Sequence, residues 1–152
     1  MPPVCIPLPS LAATEGLAAR LAPHLRRGDV VTLQGPLGAG KTTFARTLLR
    51  VLGITSEVPS PTFTLMQIYK TKNFPAYHFD LYRLKSSDEL DELGWDDAAT
   101  DGVVLVEWPE RAENRMPKNR LCLRFEMNDK SERRCIIEPH GEWEKRTMSM
   151  AS

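Results

Sequence analysis

The sequence lacks a net charge and a long apolar run, and each absence excludes a class of protein. Lysine plus arginine equals aspartate plus glutamate at 20 each, which argues against a protein that coats DNA or RNA through a broad basic surface. No apolar run approaches the roughly 20 residues of a membrane span. The N-terminus also lacks the charged and apolar regions of a signal peptide. We therefore expect a cytoplasmic protein that binds neither membrane nor DNA.

Cysteine is also scarce. The three cysteines, Cys5, Cys122 and Cys135, fit no zinc-binding spacing, and an odd number suits a reducing compartment better than a disulfide framework. Cys122 and Cys135 are predicted to be small buried residues that could face each other across a hairpin. The 152 residues, 41% of them apolar, suit one domain with one core. We expect that domain to span residues 1–146 and residues 147–152 to form a disordered tail.

The apolar pattern predicts alternating helices and strands. A short edge strand at residues 4–8 precedes a helix that Ser10 can cap and that ends before Gly28. The later elements are predicted as a buried strand at 30–33, a helix at about 41–52, a hairpin of strands at 63–69 and 76–82, a short helix from 86 to about 93, a strand at 103–106, and a hairpin of strands at 121–127 and 132–138. This order predicts a three-layer α/β fold whose mixed sheet has a parallel centre and antiparallel additions.

A glycine-rich segment between the strand at 30–33 and the following helix matches the pattern G-x-x-x-x-G-K-[ST] at every fixed position. That strand–loop–helix context is the one the pattern requires. Glycines let backbone N–H groups converge on phosphate oxygens, and the helix start adds its positive dipole end. A lysine can then contact the β- and γ-phosphates and a threonine hydroxyl can ligate Mg²⁺. We predict a P-loop NTPase-like fold that binds nucleotide through Gly35, Gly38, Ala39, Gly40, Lys41, Thr42 and Thr43.

Two acidic residues stand at the ends of predicted strands. Ligands in such sheets bind beyond the carboxyl ends of the strands, and nucleotide hydrolysis needs a further metal contact and a group that positions water. Glu107 follows the strand at 103–106, where a Walker-B-type acid is expected, and Asp80 is a second candidate contact to Mg²⁺, directly or through water. The predicted catalytic residues are Lys41, Asp80 and Glu107, and the predicted metal ligands are Thr42, Asp80 and Glu107.

Three further residues have two interpretations each. Thr62 lies in the segment 60–64, where several P-loop proteins hold a loop that senses the γ-phosphate, but a proline-fixed turn explains the segment equally well. Trp108 follows a buried strand and is either a core residue or a nucleotide contact. His78 is interpreted as a structural or hydrogen-bonding residue rather than a base, on the same strand face as Asp80.

The residues alone leave three functions open. A GTPase would need an Asn-Lys-x-Asp motif and an Asp-x-x-Gly switch, and the sequence has neither. The length of the chain is compatible with a small-molecule kinase, although no segment has the pattern of an arginine-rich lid. A nucleotide sensor without turnover and a Mg²⁺-dependent ATPase are the other two candidates.

Five blocks in the sequence resemble the bacterial TsaE (YjeE) family in order and spacing. They are Gly-Pro-Leu-Gly-Ala-Gly-Lys-Thr-Thr (35–43), Ser-Pro-Thr-Phe-Thr-Leu (60–65), Tyr-His-Phe-Asp-Leu-Tyr-Arg-Leu (77–84), Glu-Leu-Asp-Glu-Leu-Gly (89–94) and Val-Glu-Trp-Pro-Glu (106–110). The resemblance extends over residues 5–127 and is weak beyond them.

The resemblance implies an ATPase that is required for threonylcarbamoyladenosine in tRNA. Such a subunit acts with the TsaB and TsaD proteins, contacts tRNA only indirectly through them, and uses ATP to reset the complex between turnovers. The resemblance also implies site residues: Lys41 and Thr42 for phosphate and Mg²⁺, Asp80 and Glu107 for the metal site, Thr62 for the switch loop, Trp108 as the tryptophan beside the acid, and the segment from Leu11 to Thr14 for the adenine side.

Overall fold

A computed structural model of the protein describes residues 3–36, 38–55 and 65–146. The predicted switch residue Thr62 and the predicted tail at 147–152 lie outside the described residues. The strands are β1 (Val4–Pro7), β2 (Val30–Gln34), β3 (Met66–Lys70), β4 (Pro75–Asp80), β5 (Val103–Glu107), β6 (Arg120–Met127) and β7 (Arg133–His140). The helices are α1 (Leu11–Leu21), α2 (Lys41–Val51), α3 (Glu89–Glu92), α4 (Trp95–Asp101) and α5 (Trp143–Arg146).

The strands form one mixed sheet in the order β1-β7-β6-β2-β5-β4-β3. At its centre, β2 pairs in parallel with β5 and β6, and β5 pairs in parallel with β4. Strands β1, β3 and β7 add to this centre in antiparallel pairs. The central strands are short apolar runs because helices cover both of their faces. The predicted sheet, with a parallel centre and antiparallel additions, is confirmed.

Alternate residues of the central strands face two separate apolar clusters. On β5, Val103 and Leu105 pack with α1 and α2, whereas Val104 and Val106 pack on the opposite face with α3 and α4. This alternation follows from the two-residue side-chain period of a strand. The helices of both layers therefore hold β5 in register beside β2, which fixes the position of Glu107 at the strand end.

The first helix begins as predicted but ends earlier. The Ser10 hydroxyl accepts a hydrogen bond from the Ala13 amide at 3.2 Å and caps the helix start. The α-helix ends at Leu21 and continues only as a 3₁₀ turn over Ala22–His24, because Pro23 has no amide hydrogen for the helical ladder and its ring clashes with the preceding turn. None of the helices in the described ranges has the length and hydropathy needed to cross a membrane.

Three elements were not predicted. Gly94, with φ of 77°, ends the short helix α3 and begins a separate helix α4. A 3₁₀ segment over Pro109–Arg115 follows β5, and α5 closes the described chain. These elements are short, and their apolar residues are too few to show a period.

The expectation that two cysteines face each other across a hairpin is wrong. In the register of β6 and β7, Cys122 lies opposite Glu138, and Cys135 lies opposite Phe125. The two thiols are offset by an odd number of positions in the ladder, so their side chains point to opposite faces of the sheet. Both cysteines are buried and unpaired, as the prediction of small buried residues requires.

Candidate nucleotide-binding site

The loop between β2 and α2 is shaped by glycines that no other residue could replace without strain. Gly35 has φ of 141°, and a Cβ there would collide with the Phe125 carbonyl oxygen. Gly40 precedes α2 with φ of 110° and makes no side-chain cap. The first amide groups of this 11-residue helix therefore lack a capping side chain and point toward the loop, which is the arrangement that binds anions.

A cleft of about 570 Å³ opens beside this loop. Its lining consists of Leu8, Pro9, Ser10, Leu11, Thr14, Gly38, Ala39, Gly40, Lys41, Thr42, Thr43, Asp80, Glu107, Trp108 and Arg133. The structure thus brings together every predicted site residue that it describes except Gly35, which shapes the turn rather than the wall. The segment from Leu11 to Thr14, matched to the adenine side, also contributes to the cleft.

The acid at the end of β5 connects the loop to β4. The Thr42 hydroxyl donates to Glu107 Oε1 at 2.7 Å, and Glu107 Oε2 lies 2.6 Å from His78 Nε2. Glu107 is 2% exposed and His78 is fully buried. Both carboxylate oxygens of Glu107 are therefore engaged, one by the helix that follows the loop and one by the neighbouring strand.

The surroundings of Glu107 favour its ionised form. Burial by itself raises the pKa of this carboxyl, but His78, the Thr42 hydroxyl and the charge of Lys41 together outweigh burial and hold the pKa below its usual range. Hydrogen bonds and a nearby positive charge stabilise a carboxylate more than its acid. The site therefore presents a negatively charged oxygen next to the Thr42 hydroxyl.

The loop lysine is buried and held by two contacts. Lys41 is 4% exposed; its ammonium donates a short hydrogen bond to the Gly35 carbonyl and lies 3.4 Å from the centre of the Trp108 ring. Burial lowers the pKa of Lys41, although the nearby carboxylates of Glu107, Glu110 and Asp80 oppose that shift. A phosphate bound in the cleft would place negative charge beside the buried Lys41 ammonium and so stabilise its charged form.

The second predicted acid lies directly beside the first. Asp80 pairs with Glu107 across the parallel strands β4 and β5, and both side chains are buried. Asp80 Oδ1 accepts a hydrogen bond from the Tyr82 amide at 3.0 Å. That bond holds the carboxylate at the end of the strand, within the wall of the cleft.

Trp108 turns back over the loop because its backbone is left-handed. Its φ of 60° and ψ of 50° are strained for a residue with a side chain, and such strain concentrates at functional sites. The Trp108 amide donates to the Leu33 carbonyl at 3.3 Å, and its ring packs against Tyr82 with centroids 4.9 Å apart. Of the two interpretations of Trp108, the structure favours a cleft residue over a core residue.

The oxygen donors of the cleft suit a Mg²⁺ ion that also binds substrate phosphates. They do not suit a metal whose ligands all come from protein side chains. No group of three or more histidine, cysteine, aspartate or glutamate side chains suited to a metal occurs among the described residues. Mg²⁺ is commonly held by one or two carboxylates together with substrate phosphates and water. Thr42, Asp80 and Glu107 supply that kind of partial set.

Sequence reasoning did not assign the lining residues Leu8, Pro9, Ser10 and Arg133 to the site, and it did not identify the partner of His78. Arg133 Nε donates to the Gly38 carbonyl at 3.3 Å, and its own carbonyl accepts from the Leu8 amide at 2.9 Å. No local pattern identifies Arg133, because it reaches the loop only when β7 folds back beside β1. His78 was interpreted as a hydrogen-bonding residue, and its partner Glu107 emerges only from the pairing of β4 with β5.

Comparison with known proteins places this site in a family. Residues 8–136 match the family model described as "Threonylcarbamoyl adenosine biosynthesis protein TsaE". A tRNA threonylcarbamoyladenosine biosynthesis protein TsaE of Rickettsia felis is 42% identical over 82% of this chain and 73% of its own length. The protein of the same name from Bacillus subtilis is 45% identical over 71% and 68%.

A solved structure is similar over nearly the whole chain. The crystal structure of Bacillus subtilis YdiB aligns with a TM-score of 0.83 and 32% identity, covering 99% of this chain and 95% of that one. The match of the family model, the identity of the relatives and the shared fold agree. The chain belongs to the TsaE family.

Proposed function

We propose that this protein is the ATP-binding and ATP-hydrolysing subunit that supports threonylcarbamoyladenosine modification of tRNA, acting with TsaB and TsaD over multiple turnovers. Membership of the TsaE family supports the role in that biosynthesis. The observation that carries the ATPase proposal is the 2.7 Å contact of the Thr42 hydroxyl with Glu107. It joins a P-loop hydroxyl to a buried acid at a neighbouring strand end, as an NTPase requires.

In this proposal the phosphates of ATP lie over the amides at the start of α2. Lys41 exchanges the Gly35 carbonyl for phosphate oxygens, which compensate its charge better. Thr42 and Glu107 would hold Mg²⁺, with Asp80 beside them. When bound, Mg²⁺ neutralises charge on the β- and γ-phosphate oxygens. Glu107 and Asp80 are the groups that can orient the attacking water.

The isolated subunit should turn over slowly. Among the described residues that line the cleft, one is an arginine, Arg133, and its guanidinium contacts the loop at Gly38. Efficient phosphoryl transfer usually needs an arginine or equivalent charge beside the γ-phosphate. We propose that the TsaB–TsaD partners complete the site, in the cytoplasm where tRNA is modified, and that tRNA is contacted through them.

Substitution of the loop lysine tests nucleotide binding. Lys41→Ala removes the buried ammonium, and we expect ATP binding to be abolished in calorimetry. Lys72→Ala, in the exposed turn between β3 and β4, is the matched control and should bind ATP normally. Unchanged ATP affinity in the Lys41 variant would refute the proposed site.

A reconstituted reaction distinguishes the ATPase from the kinase and the sensor. Mg-ATP, the TsaB–TsaD partners and unmodified tRNA are incubated with the protein, and ADP and modified tRNA are counted per subunit. The proposal predicts slow ADP formation by the subunit alone, faster formation with partners and several modifications per complex. ADP formation that requires a small acceptor would identify a kinase, and tight ATP binding without ADP would identify a sensor.

A further inference from the structure

His78 is buried and makes one polar contact with the part of the chain that the structure describes. None of its side chain is accessible to solvent, and its Nε2 lies 2.6 Å from Glu107 Oε2. Its other ring nitrogen, Nδ1, is buried and has no hydrogen-bond partner within residues 3–36, 38–55 and 65–146. A buried polar atom without a partner loses its hydration and gains nothing in return.

The pairing of β4 with β5 explains how His78 reaches this contact. His78 pairs with Leu105, and Asp80 pairs with Glu107. His78 is thus the diagonal neighbour of Glu107 on the same face, a separation that a long or aromatic side chain can bridge. An ionised carboxylate only accepts hydrogen bonds, so Nε2 carries the hydrogen and donates it to Oε2.

We propose that His78 is a positioning residue that fixes Glu107 so that Oε2 is occupied and Oε1 faces Thr42 and the Mg²⁺ site. The glutamate then offers one oxygen rather than two to the metal, in a single rotamer. An apolar side chain of similar volume would pack in the same place without leaving Nδ1 unpaired, so packing alone does not account for a histidine here. This inference rests on the proposed function for its Mg²⁺ consequence, but the geometry of Glu107 can be tested without nucleotide.

Two variants, His78→Gln and His78→Asn, test whether the hydrogen-bond donor at the Nε2 position matters beyond the volume of the side chain. The amide nitrogen of glutamine can occupy the Nε2 position, whereas that of asparagine reaches only the Nδ1 position. We expect His78→Asn to raise the Mg²⁺ concentration for half-maximal ATP hydrolysis by about 10- to 100-fold, the usual effect of losing such a partner. His78→Gln should stay close to wild type, and KM for ATP at saturating Mg²⁺ should be unchanged in both variants.

A binding measurement gives a second readout. Calorimetry with ADP compares affinity without and with Mg²⁺. Without Mg²⁺, both His78 variants should bind ADP like wild type, because the loop is intact; with Mg²⁺, only His78→Asn should lose the gain in affinity. Tyr77→Phe, on the opposite face of β4 with its hydroxyl bonded to Asp101, is the matched control and should behave like wild type.

A crystal structure of unliganded His78→Leu tests the geometry directly. The proposal predicts that the Glu107 carboxylate rotates and that its hydrogen bond with Thr42 is lost. A retained bond at about the present 2.7 Å would overturn the proposal, as would equal Mg²⁺ requirements in the asparagine and glutamine variants. If His78→Leu does not fold, the latter comparison decides. If Mg²⁺ does not change the affinity of the wild-type protein for ADP, the proposed function is refuted. The unliganded crystal structure then still tests the role of His78.

Discussion

Thr42 and Glu107 stand 65 positions apart in the chain, yet the Thr42 hydroxyl donates to Glu107 Oε1 across 2.7 Å. The contact forms because Glu107 pairs with Leu33 in the parallel ladder of β2 and β5, and the loop after β2 returns as α2 directly above that strand end. A loop hydroxyl and a buried carboxylate are thereby brought to one point.

Removing the Thr42 hydroxyl should impair hydrolysis more than folding. Thr42→Val keeps the shape but removes a proposed Mg²⁺ ligand together with the donor to Glu107 Oε1. We expect kcat to fall roughly ten- to hundredfold, because the metal that stabilises the transition state is held less well. Thr42→Ser keeps the hydroxyl and serves as the control. Steady-state ATPase assays with TsaB–TsaD measure the effect, and equal rates for the valine and serine variants would contradict it.

The stability of the protein should depend on pH through Glu107. Its pKa in the folded state lies below its usual range despite burial, because His78, Thr42 and Lys41 face it. The ionised side chain therefore stabilises the fold above the unfolded-state pKa of about 4.3, and this contribution is lost as pH falls through the folded-state pKa.

Glu107→Gln removes the titrating carboxyl, so the comparison of the two proteins reports on its contribution. We expect the difference in unfolding free energy between wild type and Glu107→Gln to shrink as pH falls from about 5 through the unfolded-state pKa of about 4.3 and on through the lower folded-state pKa. Urea unfolding followed by circular dichroism measures it. A difference that stays constant over that range would show that Glu107 does not carry the effect.

The C-terminal helix should be held by a buried ion pair. Arg146 makes two 2.8 Å hydrogen bonds to Asp29, with its guanidinium 3.7 Å from the centre of the Trp143 ring, and the side chains are 15% and 8% exposed. Fully buried pairs cost about 3–5 kcal/mol when one partner is removed, so we expect Arg146→Ala to cost about 2 kcal/mol at this partial exposure.

A surface pair provides the comparison for Arg146→Ala. Arg27 contacts Asp101 at 3.0 Å, but these side chains are 52% and 56% exposed, so Arg27→Ala should cost no more than about 1 kcal/mol. Both variants should bind ATP normally, because neither residue lines the cleft. Chemical denaturation gives the unfolding free energy of each variant. Equal losses in the two variants would contradict the claim that the Arg146 ion pair holds the C-terminal helix.

Two glycines should respond to alanine in opposite directions. At Gly35 the added Cβ meets the Phe125 carbonyl and φ is 141°, so Gly35→Ala should destabilise by about 1–3 kcal/mol and weaken ATP binding. At Gly16, within α1, an added Cβ has no atom within 4 Å, so Gly16→Ala should stabilise by about 0.4–1 kcal/mol. Thermal unfolding distinguishes the two; stabilisation by Gly35→Ala would contradict the loop geometry.

Much of the site was predictable because it depends on local chain properties. The glycines from Gly35 to Gly40 set the loop conformation, and the apolar strands before Asp80 and Glu107 place both acids at strand ends. Strand periods and helix caps follow from backbone geometry and side-chain size within a few residues. The short helices α4 and α5 escaped prediction because too few residues carry their pattern.

What the sequence by itself determined is the phosphate loop, the parallel centre of the sheet and the two acids beyond it. Only the tertiary structure decided the partners of those residues: His78 beneath Glu107, Trp108 over Lys41, and Arg133 against Gly38. Each of these pairs joins elements that meet through strand order and register. A sequence pattern specifies which face of an element is apolar, but not which residue of another element will lie opposite a given side chain.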